Sequence, residues 1–455
     1  MNRLIYFALF ALGLALALSC AWAQDMRNVA EPIIPPACAT LVADLSSSGS
    51  TLVEADESRP DTQRIQQAID HCAPGQSVRL QARGALNAFL SGPLQLRTGV
   101  ALLVDSHTIL FGSREPRDYD VSPGSCGILD HQGHGCRALI NGDHTNNAAV
   151  MGDGTIDGRG WAKMLGQKKS WWDIAQEAKT AGSDQNCPRL IVMTYSDNFT
   201  LYRVTLKNAA NFHVYFSNGN GFTAWGVTIN TPKNARNTDG IDPSSATNVT
   251  IAHCFIHTGD DDVAIKASSA GSSSHMTISH NHFYTGHGMS IGSETQGGVS
   301  AIRINDLSID GADNGLRIKS NSERGGLVQD VVYEDVCIRD TKNPILMDSH
   351  YPFSGKARDM PPRFRSIVLQ DVRVLGPGKI TLEGYDAEHR LEITLNNVVL
   401  DAPAETKFQI VHAVVALGPG PVSFMPSGED VQVTGHLGKA RPNSCNDKFE
   451  SLPVK

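Results

Sequence analysis

Five segments decide the fold: Asn198-Phe199-Thr200-Leu201, Gly221-Phe222-Thr223-Ala224, Asn248-Val249-Thr250-Ile251, His275-Met276-Thr277-Ile278 and Ala301-Ile302-Arg303-Ile304. Each opens a short run of β-branched and apolar residues, and their starts are 23, 27, 27 and 26 residues apart. A near-constant period built from strands and Asn/Asp/Gly/Ser turns predicts a solenoid, and a right-handed parallel β-helix is the form that fits. A propeller blade needs four strands in about 40–45 residues, more than this period holds. A β-sandwich gives no reason for the regular spacing.

Working outward, weaker coils extend the pattern back to about residue 101 and forward to about 400. Helices are few. Ile65, Ala68, Ile69 and Cys72 recur at helical spacing, which predicts an amphipathic helix over 61–72 that caps the open first coil. A second helical stretch falls near 170–179, around Trp171 and Trp172. One β-helix is therefore expected to account for residues 24–455 as a single all-β domain, with a tail of unassigned role at 407–455.

Residues 1–23 read as a secretory signal. Arg3 is the positive flank, Ile5 to Leu18 the apolar stretch, and Ala21-Trp22-Ala23 the small-x-small site before Gln24. The run is shorter than the roughly 18–20 apolar residues that span a bilayer. The expectation is export, with the periplasm in transit, and no membrane association after cleavage. Lys and Arg total 39 against 47 Asp and Glu, a net charge of -8, so no overall positive field exists to attract nucleic acid.

Cleavage at that site leaves Cys38, Cys72, Cys126, Cys136, Cys187, Cys254, Cys337 and Cys445. Without a CxxC spacing a zinc site is not expected. In an oxidising compartment, proximity pairs Cys126 with Cys136 and Cys38 with Cys72, two choices among the 105 connectivities of eight cysteines. Cys254 and Cys337 lie in apolar runs and read as buried thiols.

Each central coil also carries an isoleucine strand: Gly240-Ile241-Asp242, Ala264-Ile265-Lys266, Ser290-Ile291-Gly292 and Arg317-Ile318-Lys319. If the isoleucines stack inward, their neighbours project outward, because strand side chains alternate. Arg317 and Lys319 then share the outer face, with Asp242 and Lys266 in the column of Lys319. Asn237, Asp261 and His287 stand four residues before their isoleucines, and Asp239 and Asp260 lie close by. The patch therefore gathers Asp239, Asp260, Asp261, His287 and fixed cations. Three close carboxylates repel, so one is expected to hold a proton at mildly acid pH while the others stay ionised, as general acid–base hydrolysis of a glycoside requires. Paired cations suit an anionic sugar. Taken singly, Asp260-Asp261-Asp262 is an ordinary solvated turn or a calcium cluster, His287 a turn residue, and the cations a solvated pair; only their convergence points to catalysis.

At these residues the sequence resembles glycoside hydrolase family 28, the polygalacturonases. Asn237-Thr238-Asp239, Gly259-Asp260-Asp261, Gly286-His287-Gly288 and Arg317-Ile318-Lys319 occur in the family's order, and the likeness spans roughly residues 38 to 400. The resemblance implies a right-handed parallel β-helix that hydrolyses α-1,4 bonds of polygalacturonate with inversion, without cofactor or metal. It implies Asp260 as general acid, Asp239 and Asp261 as the pair that activates water, and His287 as support for the acid. It implies Arg317, Lys319, Asn237 and Tyr351 as substrate contacts, with the pectin chain as sole partner of a monomer. Asp262 departs from the Cys or Asn of many relatives and would disturb the acid if it faced the cleft. The alternatives are an exo-acting or rhamnogalacturonan-cleaving relative, then a calcium-dependent pectate lyase or a non-catalytic carbohydrate-binding solenoid. No large insert separates Asn198 from Ser349, which favours endo action.

Overall fold

The computed structural model describes residues 24–130, 133–352, 358–438 and 443–453; the signal-like stretch lies outside them. Among the described residues the chain winds into parallel coils that feed two large sheets, one of 20 strands and one of 11. The 20-stranded sheet is two parallel ladders joined where Ser273–Phe283, Val299–Asp310, Leu327–Arg339 and Arg363–Leu375 run through both. This is the parallel β-helix expected from the period.

The repeat openers turn out to be corner residues. Asn198, Asn248, His275 and Ala301 have φ of 56°, 55°, 56° and 57°, and Gly221 has 92°. One left-handed residue per coil bends the chain from one face to the next, and Asn, His and Gly reach that region at least cost. A second corner repeats the device at Arg203, Gly226, His253, His280, Asp306 and Asp335.

Inside, each strand stacks its apolar residues on the same position of the next coil. Val249 pairs with Met276, then Ile302, Val331, Ile367, Ile393 and Val415, all buried. Phe199, Phe216 and Phe222 form a ring stack with centroids 5.0 and 5.7 Å apart. Buried Asn281 bridges two coils, accepting from the Cys254 amide and donating to the Ile251 carbonyl, both at 2.9 Å.

The cap helix α1 spans Thr62–His71 and buries Ile65 and Ile69 over the first coil. Cys38–Cys72 ties it down, and Cys126–Cys136 closes a loop, as proximity predicted. Helix α2, Trp171–Ala181, starts on a Ser170/Asp173 capping box and ends at left-handed Gly182.

Cys337 is not a thiol. It pairs with Cys445, 108 residues away. Val336 and Ile338 face the core, so alternation turns Cys337 outward, where the tail covers it. Asn443 Nδ2 donates to the Asp371 carbonyl at 2.7 Å, Lys448 to Asp335 at 2.7 Å, and Tyr284 to the Glu450 carbonyl at 3.0 Å. Cys254 is a buried thiol, as expected, and Cys187 is another.

Candidate active site

Strand register fixes what converges on the 11-stranded sheet. Ile241 pairs with Val263, Val263 with Met289, and Met289 with Leu316; Ile265 pairs with Ile291 and Ile291 with Ile318. The isoleucine alignment is therefore two residues out at the first coil. Asp242, not Lys266, stands level with Ser290 and Arg317, while Lys266 stands level with Lys319 and bridges to Ser244. Two residues before the row of Ile241, Val263 and Met289, Asp239, Asp261 and His287 occupy one column on three successive coils. Asn237 falls outside that column; it is half-buried, with φ 56°.

Asp261 is the hub. Its carboxylate accepts from Lys319 Nζ at 2.7 Å, Ser290 Oγ at 2.8 Å and Arg317 Nη1 at 3.1 Å. Burial raises its pKa, but the Lys319 and Arg317 charges outweigh that and hold the carboxyl well below its ordinary range. Arg317 and Lys319 are only 7% and 6% exposed, and Arg317 Nε has no protein partner. Tyr351 lies over both cations, its ring centroid 5.4 Å from Arg317 Cζ and 5.3 Å from Lys319 Nζ.

Asp260 Oδ1 accepts from the Asp261 amide at 3.0 Å and lies 3.1 Å from His287 Nδ1. Burial favours the neutral acid, yet the hydrogen bond to His287 wins and lowers the carboxyl's pKa. The imidazole moves up from 6.5: burial lowers it, and Asp260 more than restores it. Both shifts favour the charge-separated form of this pair, carboxylate on Asp260 and imidazolium on His287.

Asp239 behaves oppositely. Burial, then the charges of Asp242 and Asp260, push its carboxyl well above the ordinary value. Lys266 Nζ donates to Asp239 Oδ2 at 3.2 Å and to Asp242 Oδ2 at 2.6 Å, while both Oδ1 atoms are buried without a protein partner. Burial raises Asp242 to about 6 against the opposing Lys266 charge. Within the cluster, burial thus shifts Asp239 and Asp242 toward the protonated form, opposite to Asp260 and Asp261. Lys266, Asp242 and Ser290, which the isoleucine strands already bring to this face, support the cluster; strand pairing keeps Lys266 in the column of Lys319 as expected and moves Asp242 to that of Arg317.

Asp262 does not face the cleft. It is fully buried, Oδ2 accepting from the Gly288 amide at 3.0 Å and Oδ1 lying 3.1 Å from Thr258 Oγ1. The Thr258 hydroxyl is 2.7 Å from the Asp260 carbonyl, so a protonated Asp262 completes the chain by donating to Thr258. Burial pushes its carboxyl well above the usual range, consistent with that neutral form.

Donor atoms of Asp260, Asp261 and His287 lie within 4.8 Å of one another, the spacing of a metal trio. Lys319 and Arg317 already neutralise Asp261 and would repel a divalent ion there.

Residues 99–416 match the model of glycosyl hydrolases family 28. The chain belongs to this family. It is 43% identical over 412 residues to an endo-polygalacturonase of Pectobacterium parmentieri, covering 90% of this chain and 98% of that protein. A polygalacturonase of Ralstonia nicotianae is 39% identical, with 99% and 97% covered. The solved polygalacturonase from Erwinia carotovora superposes with a TM-score of 0.80 at 43% identity, covering 86% of this chain and all of that one. Its likeness gives the β-helix its right hand. A hydrolase family displaces the lyase alternative.

Proposed function

We propose that the exported chain is a monomeric endo-polygalacturonase that cleaves α-1,4 bonds between galacturonates by single displacement with inversion. The observation that carries this reading is one face holding Asp239, Asp260 and Asp261 beside buried Arg317 and Lys319. The names of the relatives supply the substrate class.

Arg317, Lys319 and Tyr351 receive the galacturonate at the cleavage point, its carboxylate on the two cations and its ring against the tyrosine. Asn237 contacts the neighbouring sugar. Asp260 delivers to the glycosidic oxygen the proton it shares with His287. Asp239 and Asp261 hold the water on the opposite side of the sugar, and Asp261, the carboxylate kept ionised, takes its proton. No metal enters these steps.

A time course on polygalacturonate in EDTA, following product lengths and UV absorbance together, tests the reading. Mid-length oligomers without new absorbance are expected. Monomer or dimer alone from the start would make the enzyme exo-acting, and unsaturated products that need calcium would make it a lyase.

The raised carboxyl of Asp239 favours a second reading in which Asp239 is the acid. An aryl galacturonide with a good leaving group separates the two, because such a group departs without a proton. Asp260→Asn should lose about 10²–10⁴-fold in kcat on polygalacturonate, the usual worth of a general acid, and far less on the aryl substrate. If Asp239→Asn is the variant so rescued, the roles exchange. Activity should also fall as pH rises through the elevated value of the His287–Asp260 pair, above the imidazole's ordinary 6.5. A profile flat to pH 9 would remove that pair from proton transfer.

A further inference from the structure

The column that carries Asp239 continues toward the N-terminal end of the solenoid. Val214 pairs with Ile241 and Ile191 with Val214, so the position of Asp239 is filled by Phe212 one coil earlier and by Arg189 two coils earlier. The backbone agrees: the His213 amide donates to the Asp239 carbonyl at 2.8 Å, and the Leu190 amide to the Phe212 carbonyl at 2.9 Å. Two coils at the spacing of parallel strands place Arg189 about 10 Å from Asp239 along the same sheet face.

Arg189 is held by rings rather than by acids. Its Cζ lies 4.8 Å from the Phe212 ring centre and 4.4 Å from that of Tyr215. Tyr215 itself pairs with Asp242 across the ladder. Many arginines on the outside of this molecule meet a carboxylate, as Arg203 does Asp153, Arg339 Asp310 and Arg373 Asp401. Among the described residues the Arg189 side chain has no hydrogen bond and no ion pair. Arg189, Phe212 and Tyr215 are all partly solvent-exposed.

Ring contacts occupy the flat faces of a guanidinium and leave its N–H donors directed outward in the plane. That is the geometry for a carboxylate met edge-on through two parallel hydrogen bonds. The aromatic clamp fixes the guanidinium beforehand, so less freedom is lost when a ligand arrives. Phe212 also carries Lys266 Nζ 5.0 Å from its ring centre, which continues the positive line from Arg189 toward Lys266, Lys319 and Arg317. Lys266, Lys319 and Arg317 are already paired with Asp239, Asp242 and Asp261, so of these four cations Arg189 is the one whose charge no carboxylate of the described residues meets.

We infer that Arg189, clamped by Phe212 and Tyr215, forms a distal subsite that binds the carboxylate of a second uronate on the N-terminal side of the cleavage point. The inference rests on the polygalacturonate reading and deepens it. Arg189 is a binding residue, not part of the proton-transfer machinery, so its contribution depends on chain length.

Arg189→Gln is compared with the wild type on polygalacturonate and on the shortest galacturonate oligomer the wild type cleaves. On the polymer KM should rise about tenfold, the scale of one charge-assisted hydrogen bond, with kcat held within about twofold as expected for uniform binding. On the short oligomer, which does not reach two coils back, kcat/KM should be unchanged. That split also certifies the fold of the variant. Arg189→Lys, which keeps the charge and loses the planar fork, should fall between. If the wild type cleaves polygalacturonate and Arg189→Gln matches it there, the subsite is wrong and the activity stands. If both substrates suffer equally, Arg189 only shapes the catalytic face and the subsite is again wrong. If the wild type leaves polygalacturonate intact, the activity itself has failed and the subsite falls with it.

Discussion

Two charged regions of this solenoid invite comparison: the catalytic face around Asp261 and the corner where the C-terminal tail lies. At the corner, Lys448 pairs with Asp306 and Asp335, His280 with Asp306, and Arg339 with Asp310; most of these side chains are a quarter to a half exposed. Water screens such pairs, and each contributes little to stability. On the catalytic face the cations are almost out of solvent, three carboxylates crowd them, and ionisation shifts in opposite directions on adjacent coils. Both regions grow from the same repeat. The difference is burial, which turns a charge from a surface ornament into a group whose proton affinity the fold controls.

The largest test of that contrast is Lys266→Met. It leaves the buried Asp239 and Asp242 carboxylates without their shared cation, and removing one partner of a buried pair costs about 3–5 kcal/mol. The sign with pH follows from the carboxyls. Burial raises Asp242 to about 6 and moves Asp239 in the same direction, so as pH falls through about 6 Asp242 takes up its proton and needs the lysine less. Denaturant melts at pH 5 and pH 7.5 should show the greater loss at pH 7.5. Equal losses would mean the two aspartates remain charged throughout. By contrast, Lys448→Ala at the tail should cost below about 1 kcal/mol at either pH.

The tail offers a second test, because a covalent link rather than charge anchors it. Replacing Cys337 and Cys445 with serine opens a loop of 108 residues and should cost roughly 2–4 kcal/mol in thermal or denaturant unfolding. Turnover of polygalacturonate should stay within about twofold, since the link lies off the catalytic sheet. A large fall in kcat would couple the tail to the cleft.

How much of this was legible in the sequence follows the same physics. The period survived because each corner must place a residue in the left-handed region, and Asn198, Asn248 and His275 advertise it. Carboxylates on one face were legible because alternation fixes which side a residue faces. The register was not: Ile241, Val263, Met289 and Leu316 fill the same inward position, so matching isoleucine to isoleucine slipped by two. A slip of two keeps every side chain on its face and leaves no trace in the pattern. Arg189 went unread because its meaning lies in two aromatic neighbours and in the lack of an acid. The Cys337–Cys445 bond was unreadable because proximity favours short loops.

The smallest expected effect isolates burial from catalysis. Asp262 is as buried as Asp261 but has no cation; its partners are Thr258 and the Gly288 amide. With its folded pKa raised above the unfolded value near 3.8, it stabilises the fold at low pH relative to high. That contribution is lost as pH climbs from about 4 through the folded value, because the unfolded chain ionises freely and the native one does not. Asp262→Asn offers an amide N–H to Thr258 and an oxygen to Gly288, and has no proton to lose. The variant should equal the wild type near pH 3.5 and exceed it at pH 7, by on the order of 1 kcal/mol. Its pH–rate profile should be unmoved, because a neutral Asp262 contributes no charge to Asp260. A shifted profile would instead show that Asp262 ionises in the folded protein, and the contrast between Asp261 and Asp262 would then rest on position alone.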